Sequence, residues 1–415
     1  MAGTVVQAVP TEETVVQPWP LSSRILFRFF CCYWLLYALP DGARKSVLDR
    51  IPGNQLLIQM WRVVVPWVAI HVFHVTGRAA NYVLTTGEDG TLKYIYNLLC
   101  VVLSLVATLI WSILDRRRPD YCTLHDWLRI LVRYTLAVAL FGYGFAKIFP
   151  VQFHPPGLSL LVEPYGDFSP MGALWWFMGA SIPYTIFTGA AEVAAGLLLL
   201  FRRTTSLGAM VSCAVMANVV ALNFCYDVPA KLYSSNLLLM AVFLLVPDLR
   251  RLFSVLVLNC AAAPSNLVGP RFSRRWMRTA STAFWVLFVG FNLAANVAGG
   301  WKMYKQMYLN PARAPLYGLY DVENGYSNWR KVAIEFPSAL TVRANDDSMR
   351  DYSTTYGDDT VTLNGEEILH WSRPDANHVL LEGDGKSIRL RQIDVSKFPL
   401  LGSGFHWITE NLLDR

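Results

Sequence analysis

Long apolar segments whose short connections carry arginine on alternate sides constrain this chain more than any other feature. Between residues 116 and 251 the order is an arginine cluster (Arg116, Arg117, Arg118), two apolar stretches, a second cluster (Arg202, Arg203), two more stretches and a third cluster (Arg250, Arg251). The loops between these clusters, 150–170 and 225–231, hold Lys231 as their one Lys or Arg, with Glu163, Asp167 and Asp227 as acids. Short loops rich in Lys and Arg stay on the cytoplasmic side of a membrane. The pattern therefore predicts a mainly α fold: a polytopic membrane bundle of readable orientation.

Composition agrees. Of 415 residues, 16% are charged, against about 25% in soluble domains. The formal charge of +6 sits in loops that flank apolar stretches, where orientation and lipid headgroups account for it. No basic and aromatic residues interleave as a nucleic-acid groove requires, so the bilayer is the expected partner and nucleic acid is not. The seven cysteines form no CxxC, which signals neither zinc nor a dithiol, and they read as buried free thiols.

Residues 1–22 read as a disordered tail. Arg24 and Arg28 then lead an apolar run to Leu39 that resembles a signal peptide but ends in Pro40-Asp41-Gly42 without a small-x-small cleavage site, so an uncleaved first span is expected. The stretch 56–75 contains Arg62 and Pro66, with His71 and His74 near its end. An arginine at a helix centre costs roughly 2.5–3.5 kcal/mol on insertion, and Trp61 and Trp67 suit a helix lying in the headgroup layer. Parity points the same way: if 56–75 does not cross, Arg24 and Arg28 begin in the cytoplasm and 94–114 runs inward to the arginine triplet. The other expected spans are 94–114, 125–149, 180–201, 207–226, 230–247 and 279–298, each near the roughly 20 residues a bilayer requires. That makes about seven. The divisions expected are an N-terminal membrane region (23–123), a four-helix core (124–250), a cytoplasmic segment bearing Arg271, Arg274, Arg275 and Arg278 with a last span (251–300), and an extracytoplasmic domain (301–415).

In that last part, short alternating segments at 331–336, 340–344, 360–363, 378–382 and 387–394 lie between turn signals such as Asn364-Gly365 and Gly383-Asp384-Gly385. They predict a small antiparallel β domain with Trp329, Trp371 and Trp407 as core anchors.

Polar residues inside the core carry what chemistry there is. Lys147 stands 21 positions after Asp126, and at about 1.5 Å per residue it should lie near the outer surface, snorkelling or functional. Glu192 lies ten positions before Arg202, roughly 15 Å and so near the midplane. A carboxyl there faces the bundle interior and is neutral, paired or wet. It is either a proton-handling or headgroup-binding group, or a structural lock, protonated or paired with Lys147. Gly189 and Gly196 flank it at a spacing that allows close helix contact. Asn218 reaches a similar depth and is the better cavity-lining candidate; Asn223 reads as interhelical glue, and Asp227 with Lys231 as an ion pair closing a turn. The seven histidines form no ligand set, and no Ser-His-Asp order, phosphate loop or HExxH occurs.

The stretch 126–250 resembles the DoxX-like family of small membrane proteins. The resemblance rests on Gly144 and Lys147 closing the first core helix, Glu192 and Gly196 in the second, the basic turn FRRTTSLG (201–208) and an asparagine-bearing third helix. SPMGALWWFMG (169–179) and LNFCYDVPAKL (222–232) are similar to a longer bacterial subgroup with a C-terminal polar domain. The resemblance implies a four-helix bundle in the bacterial cytoplasmic membrane, a link to membrane oxidoreductases, a quinone as cofactor and a membrane or periplasmic redox partner. In that role Glu192, Lys147, Tyr143 and Asn218 would line an outward-opening cavity. The alternatives are a non-enzymatic scaffold that presents the β domain to a partner, and a small-solute or proton transporter.

Overall fold

The computed structural model describes residues 18–40, 53–77, 89–264, 274–324, 328–383, 385–402 and 408. Residues 1–17 of the expected tail lie outside these, as do Asp41, Gly42, Arg271, His406 and Trp407.

The membrane part is built from α1 (Leu21–Ala38), α2 (Gln55–His71), α3 (Thr91–Leu114), α4 (Cys122–Ile148), α5 (Pro170–Ala180), α6 (Ile182–Leu200), α7 (Thr205–Cys225), α8 (Lys231–Leu245), α9 (Leu249–Leu256) and α10 (Arg275–Tyr304). Local chemistry sets several of these starts. Ser169 accepts from the Gly172 N–H and Ser181 from the Tyr184 N–H, each with proline in the following first turn, so α5 and α6 begin where both devices coincide. Among the described residues six stretches are long and apolar enough to cross a bilayer: Thr91–Leu114, Cys122–Ile148, Ile182–Leu200, Arg202–Cys225, Lys231–Leu256 and Arg275–Leu309. Six of the about seven expected spans thus meet that length and composition. The expected first span, α1, is an 18-residue helix with two arginines in its first half, which dilute its apolar character.

α1 nevertheless lies antiparallel along α3. At its start Arg24 donates to the Arg118 carbonyl at 2.9 Å and the Trp19 N–H to the Pro119 carbonyl at 3.0 Å. Near its end the Tyr96 hydroxyl donates to the Leu36 carbonyl at 3.5 Å. The buried guanidinium of Arg28 donates to the Tyr121 hydroxyl, Ser112 Oγ and the Asp115 carbonyl, which satisfies a charge that would otherwise face lipid. α2 turns Ile58, Trp61, Val65 and Ala69 inward, with the Trp61 ring on Tyr96 near the start of α3, and leaves Arg62 and Trp67 exposed.

The arginine clusters gather at one end of the bundle, as their alternation predicts. Asp248 accepts from Ser206 Oγ at 2.5 Å and pairs with Arg251 at 3.3 Å and Arg129 at 4.0 Å, drawing together the starts of α4, α7 and α9. α10 runs beside α4 in the same direction, with Tyr134 against Phe288 and Phe149 against Trp301. It therefore emerges at the opposite end, where Tyr308 donates to the Pro150 carbonyl at 2.7 Å.

Beyond α10 the chain forms a closed barrel of eight strands, each antiparallel to the next. They are β1 (Gly318–Asn324), β2 (Trp329–Phe336), β3 (Ala339–Ala344), β4 (Met349–Tyr356), β5 (Thr360–Leu363), β6 (Glu367–Asp375), β7 (His378–Gly383) and β8 (Lys386–Gln392). The alternation of 331–336, 340–344, 360–363, 378–382 and 387–394 marks five of these strands. β1, β4 and β6 escape it because GLYDVEN, MRDYSTTY and EILHWSRPD lack a period-two apolar pattern, and the last contains Pro374. The expected hairpin turn forms at Asn364-Gly365, where both residues have positive φ. Closure comes from β1 pairing with β8, Tyr320 opposite Gln392. Val332, Ile334, Leu340, Val342, Leu369 and Leu390 fill the interior with Trp329, while Trp371 is partly buried against them. Leu319 and Ala333 are buried on the other face, against Leu158 and Val162 of the loop after α4. Arg343 fastens this contact by donating to the Val162 carbonyl at 3.0 Å.

Candidate functional site

Two glycines set the geometry at the centre of the bundle. α4 and α6 pack antiparallel, and a Cβ added at Gly189 would stand 2.5 Å from the Gly144 carbonyl oxygen and 2.7 Å from Lys147 Cβ. One added at Gly144 would lie 2.7 Å from Val193 Cγ2 and 2.8 Å from the Gly189 oxygen. Backbones this close admit hydrogen alone at both positions. Gly196 similarly faces the Phe141 ring.

That approach lets Lys147 reach across. Its Nζ donates to Glu192 Oε1 at 2.7 Å and Oε2 at 2.9 Å, and the residues are 7% and 3% exposed. Lys147 therefore stands one residue before the end of α4 with its side chain buried rather than snorkelling. α6 extends past the end of α4, and Phe153, Leu174, Met178 and Val228 pack together over that end of the bundle. The ammonium turns inward, and a charge-balanced pair replaces a snorkelling lysine. This is the paired alternative for Glu192.

Tyr143 joins the pair. Its ring lies 5.7 Å from the Lys147 ammonium, at cation–π distance, and 5.8 Å from the Tyr233 ring. Among the described residues its hydroxyl has no hydrogen-bond partner, and Lys147 donates to Glu192 alone. One ammonium N–H and one phenol remain available to an oxygen-bearing ligand, beside a carboxylate that can take up a proton.

Asn218, the fourth expected member, is not part of this constellation. It is exposed on the outside of α7, whose inward stripe is Ala209, Ser212, Met216 and Asn223. Depth along a helix says nothing of rotation about it, and α7 is apolar almost all round. Asn223 instead is buried and donates to the Ala230 carbonyl and Ser234 Oγ at 3.2 and 3.0 Å, tying α7 to α8. Asp227, with φ 51°, pairs with Lys231 at 2.6 Å and closes the turn. The first N–H groups of α8, from Lys231 and Leu232, donate to the carboxylate of Asp89, 142 positions away from Lys231. Asp89 caps the helix from a distant segment, and no local pattern announces it. Asp248 does carry a signal, an acid directly before the Leu-Arg-Arg run at 249–251.

The histidines are dispersed. His125 is half-buried among the rings of Trp19, Phe27 and Phe243, and the His71 ring stacks on Trp67. Among the described residues no three His, Cys, Asp or Glu side chains are grouped to hold a metal.

Comparison with known proteins finds similarity to the uncharacterized protein YwoB of Bacillus subtilis (strain 168), 32% identical over 123 residues. The match spans 30% of this chain and 78% of that relative. No family model matches the chain. No solved structure matches it.

Proposed function

This chain belongs to the family of the uncharacterized Bacillus subtilis protein YwoB, and we propose that Lys147, Glu192 and Tyr143 bind a quinone headgroup in a membrane oxidoreductase complex. In this reading α4, α6, α7 and α8 form a DoxX-like core in a bacterial cytoplasmic membrane. The carrying observation is the buried acid–base pair with an unpartnered phenol beside it. Lys147 and Tyr143 would donate hydrogen bonds to a quinone carbonyl, and Glu192 would relay, one at a time, the two protons that two-electron reduction to the quinol takes up. Electrons come from a membrane or periplasmic redox partner.

The topology that accompanies this proposal puts the arginine end in the cytoplasm, with the start of α1, and the barrel outside. α2 then lies in the headgroup layer. Support comes from the antiparallel α1–α3 pair, which brings the end of α1 and the start of α3 to one side, so the segment between them begins and ends there. An odd number of crossings by that segment would contradict this.

Titration of the purified protein with menaquinone or ubiquinone tests the site. The expected result is a saturable rise in unfolding temperature that Glu192→Gln abolishes. Unchanged stability, or binding indifferent to Glu192, rejects it.

A second reading, a scaffold that presents the barrel, is favoured by the contact of Leu319, Ala333 and Arg343 with the 158–162 loop. Truncation after Leu309 discriminates. If loss of the barrel alone reproduces the phenotype of losing the gene, the scaffold reading prevails.

A further inference from the structure

A second buried charge lies at the arginine end, away from the Lys147–Glu192 pair. Arg133, on α4, is 7% exposed. Its Nη1 donates to Thr205 Oγ1 and its Nη2 to the Tyr134 hydroxyl, each at 3.2 Å, and its guanidinium lies 5.0 Å from the Tyr134 ring. Its Nε is buried with no partner, and among the described residues no carboxylate lies within ion-pair distance of it.

This differs from the other buried bases. Lys147 has Glu192, and Arg28 has two hydroxyls and a carbonyl. The nearby acid Asp248 is taken by Arg129 and Arg251. Asp126 shares the field of Arg129 and Arg202. Arg129, Arg133, Arg202 and Arg251 thus stand against Asp126 and Asp248, and Arg203 adds a further exposed charge. A guanidinium held out of water with no anion is costly, because its desolvation is not repaid. Arg133 also sits at the first residue of α7, where the unpaired N–H groups of a 21-residue helix favour negative charge. Thr205 directly follows the exposed Arg202-Arg203-Thr204 turn, the level at which lipid phosphates lie.

We propose that Arg133, positioned by Thr205, whose hydroxyl accepts from it and donates to the Phe201 carbonyl at 2.9 Å, binds with the Arg202-Arg203 turn a phosphate group, supplied by an anionic phospholipid of the leaflet on the arginine side. The guanidinium and the α7 terminus hold the phosphate oxygens, and the acyl chains run along α4 and α10 beside Tyr134 and Phe288. The site is independent of the quinone reading and would survive its failure.

The test uses the full chain in detergent, titrated with phosphatidylglycerol, with phosphatidylcholine and with inorganic phosphate, and followed by lipid retention in native mass spectrometry and by unfolding temperature. Phosphatidylglycerol is expected to be retained and stabilising, and phosphatidylcholine not. Arg133→Gln should weaken phosphatidylglycerol binding by about fivefold or more, with partial rescue by Arg133→Lys. Stabilisation by inorganic phosphate to the same extent supports the anion site but makes free phosphate its occupant. If Arg133→Gln does not fold, Thr205→Val takes its place and should weaken retention of the anionic lipid. Equal retention of the two lipids by the wild type, or anionic-lipid binding unchanged in the variant that folds, overturns the proposal.

Discussion

Replacing Glu192 with leucine removes one partner of a pair whose side chains are 9% and 4% exposed and whose Nζ contacts both carboxylate oxygens. The Lys147 ammonium then has no counter-charge, and the packed Phe153–Leu174–Met178–Val228 cluster hinders its escape to water at that end of the bundle. Breaking a buried pair from one side costs roughly 3–5 kcal/mol, whereas replacing both partners by apolar residues of similar volume is near neutral or stabilising. Glu192→Leu and Lys147→Met should therefore each destabilise by about 3–5 kcal/mol, while the double variant returns to within about 1 kcal/mol of wild type. The assay is reversible unfolding in mixed micelles, followed by tryptophan fluorescence, on all four proteins. Single variants that lose under about 1 kcal/mol, or a double variant as unstable as the two losses added, would falsify the claim that the pair is desolvated and mutually dependent.

Close packing should be as sensitive as charge. Gly189→Ala places a methyl against the Gly144 carbonyl and Lys147 and is expected to cost about 1–3 kcal/mol by overpacking, read from the same unfolding curves. Arg28→Leu removes the donors to Tyr121, Ser112 and the Asp115 carbonyl, leaves the Tyr121 hydroxyl with its bond to the Asp115 carboxylate alone, and frees the start of α1, so trypsin should cut near Arg24 faster than in wild type. The barrel contact should depend on pH. Burial is the main cause raising the Glu335 pKa above the ordinary glutamate value, although the Leu158 N–H opposes it. Burial likewise raises Glu163, with Asp167 and Asp351 adding to the effect. A docked state with raised carboxyl pKa values binds protons more readily than the undocked state. Docking should therefore strengthen as pH falls through the raised values, with the gain complete below the ordinary one. Protection factors across 157–163, in which the intrinsic slowing of amide exchange at lower pH is divided out, should rise between pH 7 and pH 5, and Glu335→Gln should flatten that rise.

Much of this architecture is local and therefore legible. Span lengths follow from runs of apolar residues, the gathering of the arginine clusters at one end follows from their alternation, and the β5–β6 hairpin follows from Asn364-Gly365. The spacing of Gly189 and Gly196 around Glu192 marks a close helix contact in the sequence itself. The first helix is the exception among the spans, because Arg24 and Arg28 leave its apolar length short while its packing on α3 depends on partners 84 to 94 positions away.

What remained for tertiary structure was rotation and closure. Polarity marks the inward face of a helix in water, but lipid tails and a protein core are equally apolar, so α7 does not encode which way Asn218 and Asn223 point. The same ambiguity hid the direction of Lys147, which depends on how far α6 outruns α4 and on the two glycines that bring their backbones together. Barrel closure between β1 and β8, and the capping of α8 by Asp89, join segments far apart in the chain. A one-dimensional pattern records the period and length of each element; which elements meet is decided by the packing of all of them at once.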